Sequence, residues 1–326
     1  MPRVVSHKEN FICAITRADP DHVPVRRMNG LVPGLFKFYY DGATPPWDGI
    51  DHWGVEWAGG TLAASEWEPK VQGYAVNRPL QNLSTLGNYP FPDPGEPGIM
   101  DGKLDGVDRD QVFILGDLPF LLLERAHVLM GMESLFVAMA TEPDPIRTLL
   151  RQIADYQIGI VQRYIAMGVD AVRGVDDYGT QKSLMLSPKM WRDLIKPELS
   201  RIFKVVKEAG LFVFFHSCGH IMDIVPDLIE VGVDVLDPVQ AQANDHAQLK
   251  HRFGDRLSFM GGTDSQYVLS RGTPEEVEAE VKERIRILGL GGGYILGPDH
   301  FIPVPEPNYR AYLSAGERYG RYPLEI

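Results

Sequence analysis

Residues 211–219 have the sequence LFVFFHSCG, in which five apolar residues run directly into a histidine, a serine, a cysteine and a glycine. The apolar run predicts a buried β-strand, and the residues from Ile221 onward predict a helix. His216 and Cys218 therefore stand where the predicted strand ends. Zinc binds imidazole nitrogen and thiolate sulfur tetrahedrally, so this strand end is a candidate metal site. A buried cysteine beside a hydrogen-bonded histidine is the structural alternative.

Length, composition and charge limit the classes of protein that the sequence can represent. The chain has 326 residues, and 44% of them are hydrophobic, which is enough to build a large core. A chain of this length is typical of a single α/β barrel. The net charge of -12 argues against a nucleic-acid-binding protein, because binding to phosphates requires a basic surface.

Two features of the sequence predict a cytoplasmic protein. The two cysteines, Cys13 and Cys218, are too few for a disulfide framework and are typical of thiols in a reducing compartment. The amino-terminal residues do not have the pattern of a signal peptide. No apolar run approaches the roughly 20 residues that a membrane helix needs, so we expect no membrane span.

From Gln111 onward, short apolar segments alternate with amphipathic segments. The predicted strands are Val112–Leu115, Val169–Arg173, Leu211–Phe215, Val233–Leu236, Leu257–Met260 and Tyr294–Leu296. The predicted helices lie around Pro143–Met167, Pro188–Ala209, Ile221–Val231, Asp245–Phe253 and Pro274–Leu288. This repetition predicts an α/β protein with a (β/α)8 TIM barrel. A doubly wound open sheet is the alternative, but no phosphate-binding glycine fingerprint stands at a strand-to-helix turn.

Residues 1–110 have a different character, with proline and glycine scattered through them. Four of the five tryptophans, Trp47, Trp53, Trp57 and Trp67, fall in this part. We predict a Pro/Gly/Trp-rich amino-terminal cap that includes the first barrel elements, within one domain spanning residues 1–326. The tryptophans either pack in the core or line a site for a flat or apolar ligand. Trp53 is a candidate substrate-binding residue on the second interpretation.

Polar residues follow five of the predicted strands. They are Asp176-Asp177-Tyr178-Gly179-Thr180-Gln181, His216-x-Cys218, Asp237-Pro238-Val239-Gln240, Gly261-Gly262-Thr263-Asp264 and Gly297-Pro298-Asp299-His300. A TIM barrel collects such residues on one face, where active sites are built. Helix capping can explain any one segment. Gathering carboxylates, imidazoles and a thiol on one face costs desolvation energy, which favours a functional site.

These segments resemble the uroporphyrinogen decarboxylase superfamily. The resemblance rests on Asp176-Asp177-x-Gly179-x-Gln181, His216-x-Cys218-Gly219, Gly232-Val233-Asp234-x-Leu236-x-Pro238-Val239-Gln240, Gly261-Gly262-x-Asp264 and Gly293-Tyr294-Ile295-Leu296. It covers about Val169 to Tyr319 well and the amino-terminal third loosely. It implies one of two chemistries, metal-free decarboxylation of a porphyrinogen or zinc-dependent methyl transfer to or from corrinoids.

The amino-terminal segment argues against decarboxylation of a porphyrinogen. Decarboxylases of the superfamily resemble one another in a P-V-W-x-M-R-Q-A-G-R-Y segment whose arginines hold carboxylates. The comparable stretch here is Pro24-Val25-Arg26-Arg27-Met28-Asn29-Gly30, which lacks the Q-A-G-R-Y portion. Arg26 remains a candidate for binding an anionic substrate, but a tetrapyrrole with eight carboxylates needs several guanidinium groups.

A second segment favours the corrinoid methyltransferases of the superfamily, which carry zinc on an H-x-C pair and on a third ligand in a segment like I-L-x-P-G-C-x-I-P. Here residues 295–303 read ILGPDHFIP, with His300 at the cysteine position. The resemblance therefore implies zinc ligation by His216, Cys218 and His300. A His/Cys/His set leaves zinc a stronger Lewis acid than His/Cys/Cys does, which suits a neutral ether oxygen. Decarboxylases also tend to have a histidine in this segment, so His300 alone does not establish a metal.

The resemblance implies a zinc-dependent methyltransferase of the O-demethylase type, acting between a small methoxylated or methylated substrate and a corrinoid. Because the chain has no D-x-H-x-x-G corrinoid segment, we expect the corrinoid on a separate partner protein. A homodimer is the candidate oligomer. The implied catalytic residues are Asp176, Asp177 and Tyr178, and the implied substrate-binding residues are Gln181, Gln240, Asp264, Arg26 and Trp53. The alternatives are a decarboxylase-like lyase acting on a polycarboxylate and a hydrolase or noncatalytic binder.

Overall fold

A central sheet of seven parallel strands dominates the computed structural model, which describes residues 5–44, 46, 48–59 and 73–325. The strands of this sheet, in spatial order, are β1 (Leu35–Phe38), β5 (Phe113–Leu118), β6 (Ala171–Val175), β7 (Phe212–His216), β8 (Val235–Asp237), β9 (Ser258–Thr263) and β10 (Tyr294–Pro298). A separate antiparallel sheet contains β2 (Gly49–Ile50), β3 (Glu56–Ala58) and β4 (Tyr74–Asn77).

Helices connect the strands of the central sheet. They are α1 (His7–Thr16), α2 (Leu123–Met130), α3 (Met132–Thr141), α4 (Pro143–Met167), α5 (Pro188–Leu194), α6 (Lys196–Glu208), α7 (Val225–Glu230), α8 (His246–Phe253), α9 (Pro274–Arg284) and α10 (Glu306–Tyr319). Short 3-10 or π segments cover Leu83–Asn88, Met222–Ile224, Ser265–Leu269 and Ile285–Gly289. Within the described ranges, no helix combines the length and apolarity that crossing a bilayer requires.

The predicted TIM-barrel-like α/β fold is confirmed. Next to β10, Val25 forms a parallel bridge with Leu296, so a short extended segment occupies the position of an eighth strand. Each predicted strand overlaps an observed one, and the observed strands end one to three residues later than predicted. The reason is that polar residues such as His216 and Asp237 still pair in the sheet.

The predicted helix Pro188–Ala209 is wrong in one respect, because the structure contains two helices there, α5 and α6, separated at Ile195. Pro197 lies in the first turn of α6, where its missing N–H and fixed φ suit the start of a helix. Helices α2 and α3 were not predicted, although their sequence is apolar. Of the predicted cap tryptophans, Trp47 and Trp67 lie outside the described residues.

The lower part of the barrel interior is apolar, and we call it the floor. Its buried residues are Phe11, Ile15, Val32, Phe113, Leu115, Ala171, Phe214, Val235, Met260 and Ile295. Helix α1 closes this end, because Phe11 packs against the rings of Phe113 and Phe214. The floor supports the strands, whose next inward-facing residues are charged.

Two residues further along, the inward positions of four neighbouring strands change from apolar to ionisable. Leu115 is followed by Asp117, Ala171 by Arg173, Phe214 by His216 and Val235 by Asp237. Successive side chains of a strand alternate between its two faces, so residues two apart face the same side. The carboxyl half of the barrel interior is therefore polar, at the end where active sites of such barrels lie.

Candidate metal centre

Three potential metal ligands from two strand ends lie together. Ligand atoms of Asp177, His216 and Cys218 all lie within 4.8 Å of one another. The Nε2 atom of His216 lies 3.3 Å from the Sγ atom of Cys218 and 3.7 Å from Oδ1 of Asp177. Nitrogen, sulfur and oxygen donors at these separations match the ligand set of a zinc ion.

His300 joins this group from the loop that follows β10. Its Nε2 atom lies 3.5 Å from the Sγ atom of Cys218, so both histidines direct Nε2 at the same sulfur. The structure thus places both predicted histidine ligands against Cys218, but the group whose ligand atoms all lie within 4.8 Å of one another contains Asp177 in place of His300. Four donors complete a tetrahedral set, or three donors leave one position for substrate.

Each of the two histidines has a buried carboxylate behind it. The Nδ1 atom of His216 lies 3.0 Å from Oδ2 of Asp237, and Nδ1 of His300 lies 3.5 Å from Oδ1 of Asp299. A proton on Nδ1 that faces a carboxylate leaves the lone pair of Nε2 free to bind a metal, as is usual for metal-binding histidines. At His216 the Nη2 atom of Arg173 also lies 2.9 Å from Nδ1, and Nδ1 of His300 makes no hydrogen bond with the described residues.

Solvent exposure separates the candidate ligands from their supporting carboxylates. The side chains of Asp177, His216 and His300 are 35%, 19% and 33% exposed, whereas those of Asp237 and Asp299 are 0% and 1% exposed. The ligand atoms are therefore accessible from the mouth of the barrel, while the carboxylates that orient the imidazoles are not. Such an arrangement leaves the side chains of the candidate ligands partly open to solvent.

Two glycines allow the loops that carry Asp177 and Cys218 to pack backbone against backbone. A Cβ atom at Gly219, whose φ is +80°, would lie 2.3 Å from the carbonyl carbon of Gly179. The close approach lets Asp177 Oδ1 accept a hydrogen bond of 2.8 Å from the backbone N–H of Cys218. The glycines of both motifs thus position the carboxylate beside the thiol.

The electrostatics of the centre favour a bound cation. Burial raises the pKa of the Cys218 thiol, and the neighbouring Asp177 carboxylate raises it further. A thiolate forms there only if positive charge offsets both effects, and a divalent metal ion supplies such charge. The donor set and its charge therefore fit zinc.

A group of charges lies next to His216, and we call Arg26, Lys37, Asp117, Arg173 and Asp237 the charged layer. All of them except Lys37 are buried. Asp237 accepts hydrogen bonds from Arg26 (2.9 Å) and Arg173 (2.5 Å). Burial alone would raise the pKa of Asp237, but the two guanidinium groups hold it well below its ordinary value. Asp237 is therefore a carboxylate, and its charge keeps the His216 imidazole oriented.

Asp176 and Tyr178, which were predicted to be catalytic with Asp177, lie on the buried side of the same loop. The carboxylate of Asp176 accepts hydrogen bonds from the backbone N–H groups of Leu122, Leu123 and Glu124 and from the hydroxyl of Tyr178. It thus binds the start of α2. The ring of Tyr178 packs against Trp191 and Phe215 in the core.

The predicted substrate-binding residues fall into different environments. Gln240 is buried next to the centre, where its Oε1 accepts a hydrogen bond from the N–H of Gly219 and its Nε2 has no partner among the described residues. Asp264 is buried and accepts hydrogen bonds from the N–H of Tyr267 and from Gln242. Gln181 lies in an exposed turn.

The two remaining predicted substrate-binding residues are both buried. Arg26 belongs to the charged layer, and its guanidinium also lies over the ring of Phe301. Trp53 packs in the amino-terminal part of the core against Phe91 and Tyr156. Arg26 is therefore next to the centre through Asp237, whereas the contacts of Trp53 are those of a core residue.

Sequence reasoning missed four ionisable residues around the centre: Lys37, Asp117, Glu124 and Arg173. Three of them lie within strands, and a charged residue at an inward-facing strand position is the signal that would have identified them. Glu124 begins α2, and burial raises its pKa well above the ordinary value, with Asp177 and Asp176 adding to the effect. Glu124 is therefore a carboxyl close to the candidate ligands whose surroundings favour its protonated form.

Comparison with known sequences identifies the family of the chain. The sequence profile of the uroporphyrinogen decarboxylase (URO-D) family matches residues 123–318, which is more than half of the 326 residues. The chain is similar to the uroporphyrinogen decarboxylase of Psychromonas ingrahamii, with 24% identity over 263 residues, 75% of this chain and 71% of the relative. It is also similar to the methylcobamide:CoM methyltransferase MtbA of Methanosarcina mazei, with 22% identity over 260 residues, 77% of this chain and 72% of the relative.

A solved structure supports the same assignment at the level of the fold. A methyltransferase from Methanosarcina mazei superimposes with a TM-score of 0.72 over 97% of this chain and 99% of that chain, at 16% sequence identity. The relatives thus include both decarboxylases and corrinoid methyltransferases, as the motifs predicted. The chain belongs to the uroporphyrinogen decarboxylase (URO-D) family.

Proposed function

We propose that this protein is a zinc-dependent methyltransferase that moves a methyl group between a small methoxylated or methylated substrate and the corrinoid of a separate partner protein. One observation carries the proposal: the Nε2 atoms of His216 and His300 both face the Sγ atom of Cys218, and each Nδ1 atom faces a buried carboxylate. Metal-free decarboxylation has no use for a thiol between two oriented imidazoles. The similarity to MtbA, whose name describes methyl transfer from a methylcobamide, supports the same reading.

Zinc bound by His216, Cys218, His300 and, in a closed set, Asp177 would supply Lewis-acid activation of the leaving oxygen of the substrate. The residues of the chain supply orientation and protons. Asp237 and Asp299 lie behind the two imidazoles, and the Nε2 of Gln240, which has no hydrogen-bond partner among the described residues, would donate a hydrogen bond to substrate. Asp177 is the accessible carboxylate that can move a proton at the leaving oxygen.

Methyl transfer to a corrinoid tests the proposal directly. Zinc-loaded protein is incubated with cob(I)alamin and a panel of methoxylated small molecules, and methylcobalamin is followed by its absorbance. We expect formation that depends on zinc and disappears in a His216→Ala/His300→Ala variant. If neither free cob(I)alamin nor a corrinoid protein encoded beside this chain is methylated, the proposed function is wrong.

A carboxy-lyase acting on a polycarboxylate is the second candidate function, and it is favoured by the cationic side chains of the charged layer and by the decarboxylase relatives. The contacts of those side chains weigh against it. Arg26 and Arg173 are already bound to Asp237, and Arg27 is exposed, so few guanidinium groups are free to hold eight carboxylates. We expect no coproporphyrinogen from uroporphyrinogen in an anaerobic assay, and its appearance would favour the lyase.

A further inference from the structure

The charged layer contains one more cation than carboxylate. Arg26 and Arg173 each bind one oxygen of Asp237, at 2.9 and 2.5 Å. Asp117 is shared, because Arg173 and Lys37 each lie 3.1 Å from its Oδ2 atom. Two carboxylates thus serve three cationic side chains, so one cation of the layer has no carboxylate of its own.

Lys37 is the cation of this layer that can accept another partner. Its side chain is 31% exposed, whereas those of Arg26 and Arg173 are 5% and 6% exposed. In the part of the chain that the structure describes, Asp117 is its one ion-pair partner. An ammonium group has three N–H donors, so two of those on Lys37 remain for a ligand.

The surroundings of Lys37 are short of negative charge even with Asp117 beside it. The Asp117 carboxylate raises the pKa of Lys37, but burial and the neighbouring Arg173 and Arg26 outweigh it, and the pKa is lowered overall. An added anion would reverse this imbalance. The Lys37 ammonium thus shares its carboxylate with Arg173 and is accessible to water.

Lys37 shares the barrel interior with the metal centre. The strand register pairs Lys37 with Leu115, a floor residue, so its side chain points inward. Asp117 and Arg173 link it to His216, because Arg173 lies 2.9 Å from the Nδ1 atom of this histidine. Lys37 and His216 thus face the same barrel interior and belong to one network of ion pairs and hydrogen bonds.

The metal centre, with zinc bound, would carry no net negative charge to balance the positive charge of Lys37. A zinc ion with the Asp177 carboxylate and the Cys218 thiolate would be neutral. The buried carboxylates of Asp176 and Asp299 are bound by backbone N–H groups, those of Leu123 and Ser265 among them. One cation of the charged layer has no carboxylate of its own there, and a substrate carboxylate would bring one negative charge, whereas a phosphate monoester would bring nearly two.

We propose that Lys37 binds the carboxylate of the substrate, which would make the substrate a small monocarboxylate. The identity of the transferred group rests on the proposed function. Together, the two proposals make the substrate a carboxylic acid that carries a methoxy or methyl group. The carboxylate lies on Lys37 and the opposite end of the molecule faces His216 and Cys218.

Binding experiments test this subsite without any turnover. Acetate, methoxyacetate and benzoate are titrated calorimetrically into zinc-loaded wild-type protein and into Lys37→Met and Lys37→Arg variants. We expect saturable binding of at least one carboxylate to wild type, a loss of about tenfold or more in Lys37→Met, and retention within a few fold in Lys37→Arg, since a charged hydrogen bond is lost only in the first. Lys204→Met, on the exposed face of α6, is the matched control and should bind as wild type.

Several outcomes would overturn the proposal. These are no saturable binding of any of the three carboxylates to wild type, equal binding to Lys37→Met, equal binding of the neutral analogue 2-methoxyethanol, or tighter Lys37-dependent binding of inorganic phosphate. Thermal melting of each variant shows that a loss of binding is not a loss of fold. Carboxylate binding that depends on Lys37 in a protein without methyl transfer would remove the proposed function and leave the subsite standing.

Discussion

The lower and upper parts of the barrel interior are built by the same strands but contain opposite chemistry. In the floor, Phe113, Phe214 and Met260 are buried against α1 and one another, and they stabilise the fold by removing apolar surface from water. Further along the same strands, Asp117, Arg173 and Asp237 bury charge, which costs desolvation energy. The buried charges of the upper part lower the stability of the fold, and a protein keeps such charges where they serve a functional site.

The largest expected effect comes from removing the candidate ligands of the upper part. A His216→Ala/Cys218→Ala/His300→Ala variant should fall from about one zinc ion per chain to almost none, since no nitrogen or sulfur donor of the set remains. Elemental analysis after reconstitution measures it. Wild-type binding should also weaken at acid pH, because protons compete for imidazole and thiolate. Full zinc occupancy in the triple variant would show that the metal lies elsewhere.

The next effect separates two adjacent carboxylates, one facing the centre and one facing the protein. Asp177→Asn should lower turnover about 100-fold or more with little change in melting temperature, because an accessible carboxylate at the centre serves chemistry. Asp176→Asn should instead destabilise the fold by about 1–3 kcal/mol, since it disturbs the hydrogen bonds to the start of α2. Steady-state rates and thermal melts compare the two. A lowered melting point with a preserved rate in Asp177→Asn would remove it from the site.

A smaller effect is expected from the carboxylate behind His300. Asp299→Asn should weaken zinc binding about 10- to 100-fold, as is typical of residues that orient a metal-binding histidine. Competition with a zinc chelator measures the affinity. Asp245→Asn, at the exposed start of α8, is the control and should bind zinc as wild type does. Equal affinities in both variants would mean that Asp299 only joins the backbone N–H groups of Ala241 and Ser265.

The smallest effect on the metal is expected from the floor. Phe214→Ala should lower the free energy of unfolding by about 3–5 kcal/mol, because it removes a fully buried ring from between Phe11 and Phe113. Zinc stoichiometry in the folded variant should stay the same as in wild type. Denaturant unfolding and elemental analysis test the two statements together. Loss of zinc from well-folded Phe214→Ala would show that floor and centre are coupled.

The sequence predicted those features of the fold and the candidate site that depend on a few consecutive residues. Apolar runs that end in polar residues predicted the barrel strands, and the strand ends placed His216, Cys218 and His300 on one face, where the structure brings them together. Those signals need only the length of each run and the residues that follow it. The roles of these residues as ligands remain predictions.

The sequence could not predict which way neighbouring side chains point or how distant strands pair. Asp176 and Asp177 are neighbours in sequence but face the start of α2 and the centre, respectively, and their residue types do not distinguish them. Gln181 follows the same strand yet is exposed, because it lies in a turn that hydrogen bonds between Thr180 and Ser183 close. Lys37 gains significance only from its pairing with Leu115 and its contact with Asp117 across two strands far apart in the chain.

The closure of the barrel by α1 and the floor has a kinetic consequence. Among the described residues, Phe11, Phe113 and Phe214 fill the amino end of the barrel, so we expect reactants to reach the centre through the mouth at the strand carboxyl ends. Under the proposed function, a corrinoid protein docked at that mouth would block it. The small substrate should therefore bind first and its demethylated product should leave last, giving an ordered sequence of events that initial-rate kinetics with both substrates can reveal.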